Sequence, residues 1–513
     1  MRTINFTRVL VLFFFSANLM FAQNYTVDTQ HRHQVIDNFG ASDAWTAQFF
    51  GQWPDSKRND MADLLFSLEK DAQGKPKGIG LSIWRFNIGA GSAEQGDSSY
   101  IPDITRRAEC FQLPNGSYDW SKQAGQRWFL KAAKERGVKQ FLAFNISPPI
   151  HMTRNGLAGN KFGTNDGTLN IKTDKYNHFA DFLATVVDEL GKREGINFQY
   201  LSPFNEPEWN WDAISQEGTP ALNSEIAKTV RLLDKKFSEK NLQTQILVSE
   251  SGQYDYLYKK NTNLPGRDNQ IASYFDANSK DFIGDLKHVP HLVVGHSYWT
   301  TQNDVLFEKR NELRKELDKY KLNFWQTELC IMGNDKEVGG GEKKDLSMKT
   351  ALYVARVIHH DLCIANASAW QWWLAMSNSD YKDGLIYASP NADLTDGTFT
   401  DSKLLWALGN YSRFIRPGSF RVDVASSVNV NDSQGLMVSS YINEADRELI
   451  SVVVNYAQDA KDMHLEVKGI KVKEMQAYIT SDVEGQNLMP QKIDSRTKIQ
   501  VPPKSIITLV AKY

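Results

Sequence analysis

FQYLSPFNEPEWNW, residues 198–211, is the stretch on which the fold turns. Its first four residues form a short apolar run that reads as a strand. The run ends in Asn205, Glu206 and Pro207, and three of the next residues are Glu208, Trp209 and Trp211. A carboxylate at the C-terminal end of a strand, beside an amide and with aromatics in the loop beyond, is how a parallel barrel equips its mouth. Working outward, the same order of strand, loop and helix recurs. Upstream lie DNFGASDAW (37–45), GLSIWRFNIG (80–89) and KQFLAFNISPP (139–149). Downstream lie TQILVSESG (244–252), HLVVGHSYW (291–299), NFWQTELCI (323–331) and ASAWQWWLAM (367–376).

Helical patterns fill the gaps. In residues 175–195, Phe179, Phe182, Leu183, Val186, Val187 and Leu190 form one apolar stripe. In residues 121–136, Ala124, Trp128 and Leu130 are expected to face inward, with Gly137 ending the helix. Eight alternations in about 375 residues predict an α/β fold, a (β/α)8 TIM barrel, rather than an open doubly wound sheet.

The texture changes near residue 417. From Phe420 onward, short alternating segments such as GLMVSSYIN (435–443), ELISVVVNYA (448–457) and SIITLVAKY (505–513) predict an appended antiparallel β-sandwich domain. NYTVDTQHRHQVID (24–37) also alternates. The expected organisation is therefore N-terminal strands (23–36) joining the sandwich, a catalytic barrel over 37–416 and the sandwich over 417–513. Residues 1–22 carry Arg2 and Arg8, then an apolar run shorter than a membrane span, and Ala22 before Gln23, which predicts a cleaved export signal and a periplasmic or secreted product.

Of the 513 residues, 41% are hydrophobic and 23% charged, and the formal net charge is −2. No basic field is present to attract nucleic acid, and no later segment is apolar enough for stable membrane insertion. Cys110, Cys330 and Cys363 are too few and too widely spaced for a disulfide framework; Cys330 and Cys363 are expected to be buried. His31, His33 and the His359–His360 pair lack companion ligands at zinc spacing, and there is no phosphate-binding glycine loop. Neither a metal nor another cofactor is expected. Aromatics make up 12%, including 13 Trp. Flat indole faces suit sugar rings, although core packing accounts for most such residues.

Hydrolysis of a glycosidic bond with retention needs two carboxylates about 5–5.5 Å apart. Glu206 ends the fourth strand and Glu328 the seventh, both at the same barrel face. The surroundings of Glu206 (Phe204, Pro207, Trp209, Trp211) favour a protonated acid, whereas Glu328 has to stay ionised, and Arg85 on the second strand is a candidate to hold it so.

These motifs resemble glycoside hydrolase family 30 in order and along nearly the whole chain: DNFGASDAW, SPP (147–149), SPFNEPEW, HSYW (296–299), QTE (326–328) and LGNYSRFIRPGS (408–419). The resemblance implies that Glu206 is the acid/base and Glu328 the nucleophile, that Asn205 binds the sugar 2-hydroxyl, and that Arg85 supports Glu328 with Tyr298 nearby. It further implies that Asp43, Trp45 and Trp372 line the subsite for the non-reducing sugar, although Asp43 also suits a helix cap. His296 is expected either to orient the site or to be structural, and Trp209 to contact substrate. FGASDAW, NEPEWNW and SQEGT (215–219) look closest to the endo-β-1,6-galactanase branch, acting as a monomer on an oligo- or polysaccharide. Other branches cleave β-1,6-glucan, glucuronoxylan, β-xylosides, β-glucosides or glucosylceramide. A non-catalytic glycan-binding protein is the alternative of another class, and loss of Glu206 or Glu328 would be its signature.

Overall fold

The computed structural model describes residues 23–163, 166–213, 215–494 and 498–513. The expected export signal, residues 1–22, lies outside them.

Eight parallel strands build the barrel: Asn38–Ser42, Ile83–Ile88, Gln140–Asn145, Tyr200–Ser202, a fifth split into Gln245–Ile246 and Val248–Ser251, Leu292–His296, Asn323–Glu328 and Ala369–Ser377. The first half of the fifth strand pairs with the fourth and the second half with the sixth, so the cylinder closes through Leu247. Helices cover the outside, which is why Leu292–His296 and Ala369–Ser377 are buried along their whole length. Helix Tyr176–Glu194 lays its predicted stripe inward and stops at Gly195, whose φ of 62° lets its N–H return to the Gly191 carbonyl.

One helical expectation is corrected. The helix Ala124–Glu135 starts three residues later than the pattern suggested. Ala124 therefore sits exposed in its first turn, and Trp128 is half-buried beneath the Arg58 guanidinium. The inward face is Phe129, Leu130, Ala132 and Ala133. A hairpin that the sequence did not reveal, Gly384–Pro390 with Gly397–Asp401, extends the sheet beside the eighth strand.

Inside the barrel, Ile83, Leu142, Leu247, Leu292, Val294, Trp325 and Ala369 form an apolar floor. Alternate residues of a strand share a face. Two positions nearer the mouth, the same faces present Arg85, His296 and Thr327, all buried, so a polar layer rests directly on the floor.

The small domain is one connected nine-stranded sheet, antiparallel except where Gln23–Val35 runs parallel to Lys461–Lys468. The other edge of Gln23–Val35 pairs with Phe420–Ser426. Tyr25, Val438, Met463, Ala477 and Val501, from strands spread across the sheet order, share one apolar cluster, so the sheet folds over on itself as a sandwich. Their neighbours in the alternation, including Met437, Tyr441, Ile450 and Val452, belong to the main core shared with the barrel helices. Cys110, Cys330 and Cys363 are free thiols, and Cys363 is half-buried rather than buried. No helix among the described residues is long and apolar enough to cross a membrane.

Candidate active site

The barrel mouth holds a cleft of about 440 Å³ lined by Glu206, Glu328, Trp45, Trp209, Trp299 and Trp373 among others. Two larger hollows, of about 750 and 910 Å³, lie at the foot of the barrel and beside the small domain's strands. Neither gathers the strand-end carboxylates, so the chemistry is located by residue type rather than by size.

Strand bulges set the aim of the side chains. Gly295 pairs with Gln326 but His296 with Glu328, so the seventh strand carries one extra residue at its end and delivers Glu328 to the mouth. Ser249 pairs with Val294 and Ser251 with Gly295, which makes Glu250 the extra residue of the fifth strand. On the eighth strand, Trp372 pairs with Ala41 and Leu374 with Ser42, so Trp373 is the extra residue there. Glu206 and Glu250 both have left-handed backbone, with φ of 46° and 54°. Such a conformation in a residue other than glycine is held only where its surroundings determine it. The Glu206 N–H is bonded to the Glu250 carbonyl at 2.8 Å, and the Glu206 carbonyl accepts the Trp211 indole N–H at 3.0 Å.

Around these points the polar groups form one network. The Arg85 guanidinium, fully buried, donates to Glu328 Oε2 at 2.6 Å and to Asn205 Oδ1 at 3.0 Å, and lies 3.5 Å from Glu250. Tyr298 donates its hydroxyl to Glu328 Oε1 at 3.0 Å. His296 bridges Glu206 through Nδ1 at 2.9 Å and Glu250 through Nε2 at 3.0 Å. Ser202 and Thr327 donate to Glu250 at 2.6 and 2.5 Å.

The electrostatics separate the carboxylates. Burial is the largest influence on Glu206 and pushes its carboxyl above the usual range; the charge of Glu328 adds to this, while His296 and Arg85 oppose it. Burial alone would also raise Glu250, but Arg85, His296 and Ser202 overcome it and hold this carboxyl down at about 2. For His296, burial works against charge, yet Glu328, Glu206 and Glu250 prevail and lift it to about 10. This shift favours the imidazolium, in which both nitrogens can donate, one to Glu206 and one to Glu250.

The structure brings Glu206, Glu328, Asn205, Arg85, Tyr298 and His296 into one cluster, with Trp45 and Trp209 on the cleft wall. The indole N–H of Trp45 is buried and has no acceptor among the described residues, and the ring meets Trp373 edge-on at 5.3 Å. Two expectations are corrected. Trp372 does not line the subsite: it is fully buried, stacks on Trp370 and donates to the Asp383 carbonyl at 2.7 Å. The bulge turns its neighbour Trp373 into the cleft instead. Asp43 is also buried away from the cleft, where it accepts the Asn87 N–H at 2.8 Å, and burial raises its carboxyl to about 8.

The sequence reading did not single out Glu250, Glu208, Arg106, Asp383 or Trp373. Glu250 had a signal, a second acid at a barrel strand end in SESG, and so did Glu208, the second acid of NEPEW. Glu208 is buried and accepts from Gln270 at 2.6 Å and from the Gly252 N–H at 3.2 Å. Glu206, His296 and Glu328 are the one grouping among the described residues able to offer three ligand atoms to a metal, all within 4.8 Å of one another. The donor set is already committed within the protein, because Arg85 pairs with Glu328 and His296 spans Glu206 and Glu250.

A closed parallel barrel that sets two carboxylates within 4.8 Å of each other under an aromatic rim defines the class of barrel glycosidases working through paired acids. A sequence model of O-glycosyl hydrolase family 30 matches residues 22–387. The chain belongs to that family and is a retaining O-glycosyl hydrolase. It is 29% identical over 428 residues to an endo-β-1,6-galactanase of Hypocrea rufa, covering 80% of this chain and 78% of that one. Among solved structures, a conserved exported protein from Bacteroides fragilis superposes with a TM-score of 0.88 at 36% identity, covering 95% of this chain and 100% of that one. The catalytic domain of a family 30 xylanase C from Talaromyces cellulolyticus shares the fold, with a TM-score of 0.69 at 22% identity over 96% of this chain and 100% of that one.

Proposed function

We propose that this enzyme is an endo-β-1,6-galactanase in which Glu206 is the acid/base and Glu328 the nucleophile. The observation that carries the mechanism is the unequal treatment of two carboxylates whose oxygens lie within 4.8 Å. Burial and the charge of Glu328 push the Glu206 carboxyl upward, which favours the protonated form that gives a proton to the departing glycosidic oxygen. Glu328, gripped by Arg85 through Oε2 and by Tyr298 through Oε1, is held in place to attack the anomeric carbon. When Glu328 becomes a glycosyl ester its charge disappears, and with it one of the influences that raises Glu206. Glu206 is then the stronger acid, stays deprotonated, and serves as the base that activates water. Asn205 spends its carbonyl on Arg85, which turns its amide group to donate to the sugar 2-hydroxyl.

Galactan as substrate is supported by the likeness to the Hypocrea rufa enzyme across 80% of this chain and by the NEPEWNW and SQEGT stretches. In this reading residues 1–22 direct export and the enzyme works as a monomer. The test is the product profile on β-1,6-galactan, β-1,6-glucan, glucuronoxylan and aryl β-glycosides. Short galacto-oligosaccharides from the first substrate are expected. Activity confined to the others would overturn the substrate while leaving the two-glutamate chemistry standing.

A further inference from the structure

The loops after the second and third barrel strands carry two aromatic side chains that the core does not use. Tyr100 is 49% exposed and Phe162 75% exposed. Their rings meet edge-on with centroids 5.6 Å apart, and the Lys161 ammonium lies 4.6 Å from the first and 5.3 Å from the second. Both residues sit in left-handed backbone, with φ of 61° and 58°. Beyond each other and Lys161, neither ring belongs to a hydrophobic core cluster.

Residues close in sequence to the pair are tied to the cleft lining. Asn160, two residues before Phe162, donates its backbone N–H to the Trp211 carbonyl at 2.9 Å and its side-chain amide to the Asn210 carbonyl at 3.0 Å, and Trp211 lines the cleft. On the other side, Arg107 brackets Tyr100 by donating to the Ile101 carbonyl and to the Asp97 carboxylate, and its neighbour Arg106 lines the cleft. Gln95 donates to the Gly156 carbonyl at 2.7 Å and ties the two loops together.

We propose that Tyr100, Phe162 and Lys161 form a distal subsite that seats a sugar ring of a neutral β-linked polysaccharide beyond the catalytic pocket. This rests on the glycosidase reading of the cleft. The C–H face of a sugar stacks on an exposed ring, and the lysine ammonium supplies donors to hydroxyls at the ring's edge. A protein partner would find only two rings and one cation here, whereas an extended glycan already anchored in the cleft adds this contact without a second association cost. A site of this kind serves polymers and is idle with short substrates, so it fits attack within a chain.

The experiment compares the full-length wild type with a Tyr100→Ala/Phe162→Ala double variant. It measures kcat/KM on β-1,6-galactan and on an aryl β-galactoside, and retardation of each protein in gels containing the polysaccharides of the panel. The ratio of polymer to aryl-glycoside kcat/KM is expected to fall about tenfold, as for loss of one aromatic anchor, with loss of gel retardation. An unchanged ratio with unchanged retardation would overturn the subsite and leave the glycosidase standing. A wild type that cleaves nothing would overturn the catalytic reading, and retardation would then decide the subsite alone. Concentration-dependent self-association abolished by the double variant would assign the rings to a second copy of the chain and overturn the proposal.

Discussion

Replacing Glu250 by Gln keeps the shape of the side chain and removes one charge from the centre of the network. Glu250 is fully buried, 3.0 Å from His296 and 3.5 Å from Arg85. At an effective dielectric near 20, each contact represents about 5 kcal/mol of attraction, offset by several kcal/mol for burying the ions. Breaking such a pair from one side leaves a net loss of about 3–5 kcal/mol, because the remaining charges stay buried. The variant also faces a donor problem: Ser202, Thr327 and His296 all donate to Glu250, and an amide nitrogen cannot accept. The pH dependence follows in sign. Glu250 is depressed to about 2, so its contribution is present above the ordinary carboxylate value near 4.5 and is lost as pH falls toward 2. His296 is raised to about 10, so its contribution is present below 6.5 and is lost as pH rises through 10. In Glu250→Gln, the acid loss of stability attributable to this residue should vanish and the alkaline edge should move down. Urea unfolding followed by tryptophan fluorescence from pH 3 to 10 measures both. A loss under about 1 kcal/mol at pH 7 with an unmoved alkaline edge would refute the network as described.

Three further outcomes are expected. Glu206→Ala should slow substrates with poor leaving groups by about 10²–10⁴-fold and activated aryl glycosides far less, because only the former need the proton; equal slowing in steady-state rates would remove Glu206 from the acid role. Trp373→Ala should raise KM as well as lower stability, because its ring is packed on Trp45 and Phe144, while Trp372→Ala should cost about 3–5 kcal/mol of stability with KM little changed; a KM effect confined to Trp372→Ala would mean the bulge is misread. At Gly252, an added Cβ would lie 2.7 Å from Trp209 Nε1 and 3.3 Å from Glu206 Oε1. Gly252→Ala should therefore lower kcat/KM by displacing the acid while circular dichroism stays unchanged, and full activity would show that Trp209 yields freely.

The barrel was legible because its signals are periodic and repeated: eight buried strands, amphipathic helices such as Tyr176–Glu194, and acids at strand ends. Glu206, Glu328, Arg85, His296 and Tyr298 come together because each lies on a barrel strand or just beyond its end, where chain position alone nearly fixes location. What the sequence could not show are the single-residue bulges. Strand alternation places Trp372 and Trp373 on opposite faces but does not say which one an inserted residue turns inward. The same device hides Glu250, whose inward aim depends on a register shift against the sixth strand. Asp43 illustrates a different limit: a polar residue near the mouth reads as a sugar ligand, yet the depth at which its carboxylate meets the Asn87 N–H is a property of packing. The hairpin beside the eighth strand, Gly384–Pro390 with Gly397–Asp401, lacked the turn spacing that would have marked it.

The central claim is that Glu328 attacks the anomeric carbon. The direct measurement treats the wild-type enzyme with 2-deoxy-2-fluoro-β-galactosyl fluoride, which slows breakdown of a glycosyl ester, and locates the adduct by peptide mass spectrometry. One fluorosugar on the peptide containing Glu328, absent in Glu328→Gln, is the predicted result. A stable adduct on any other side chain would contradict it.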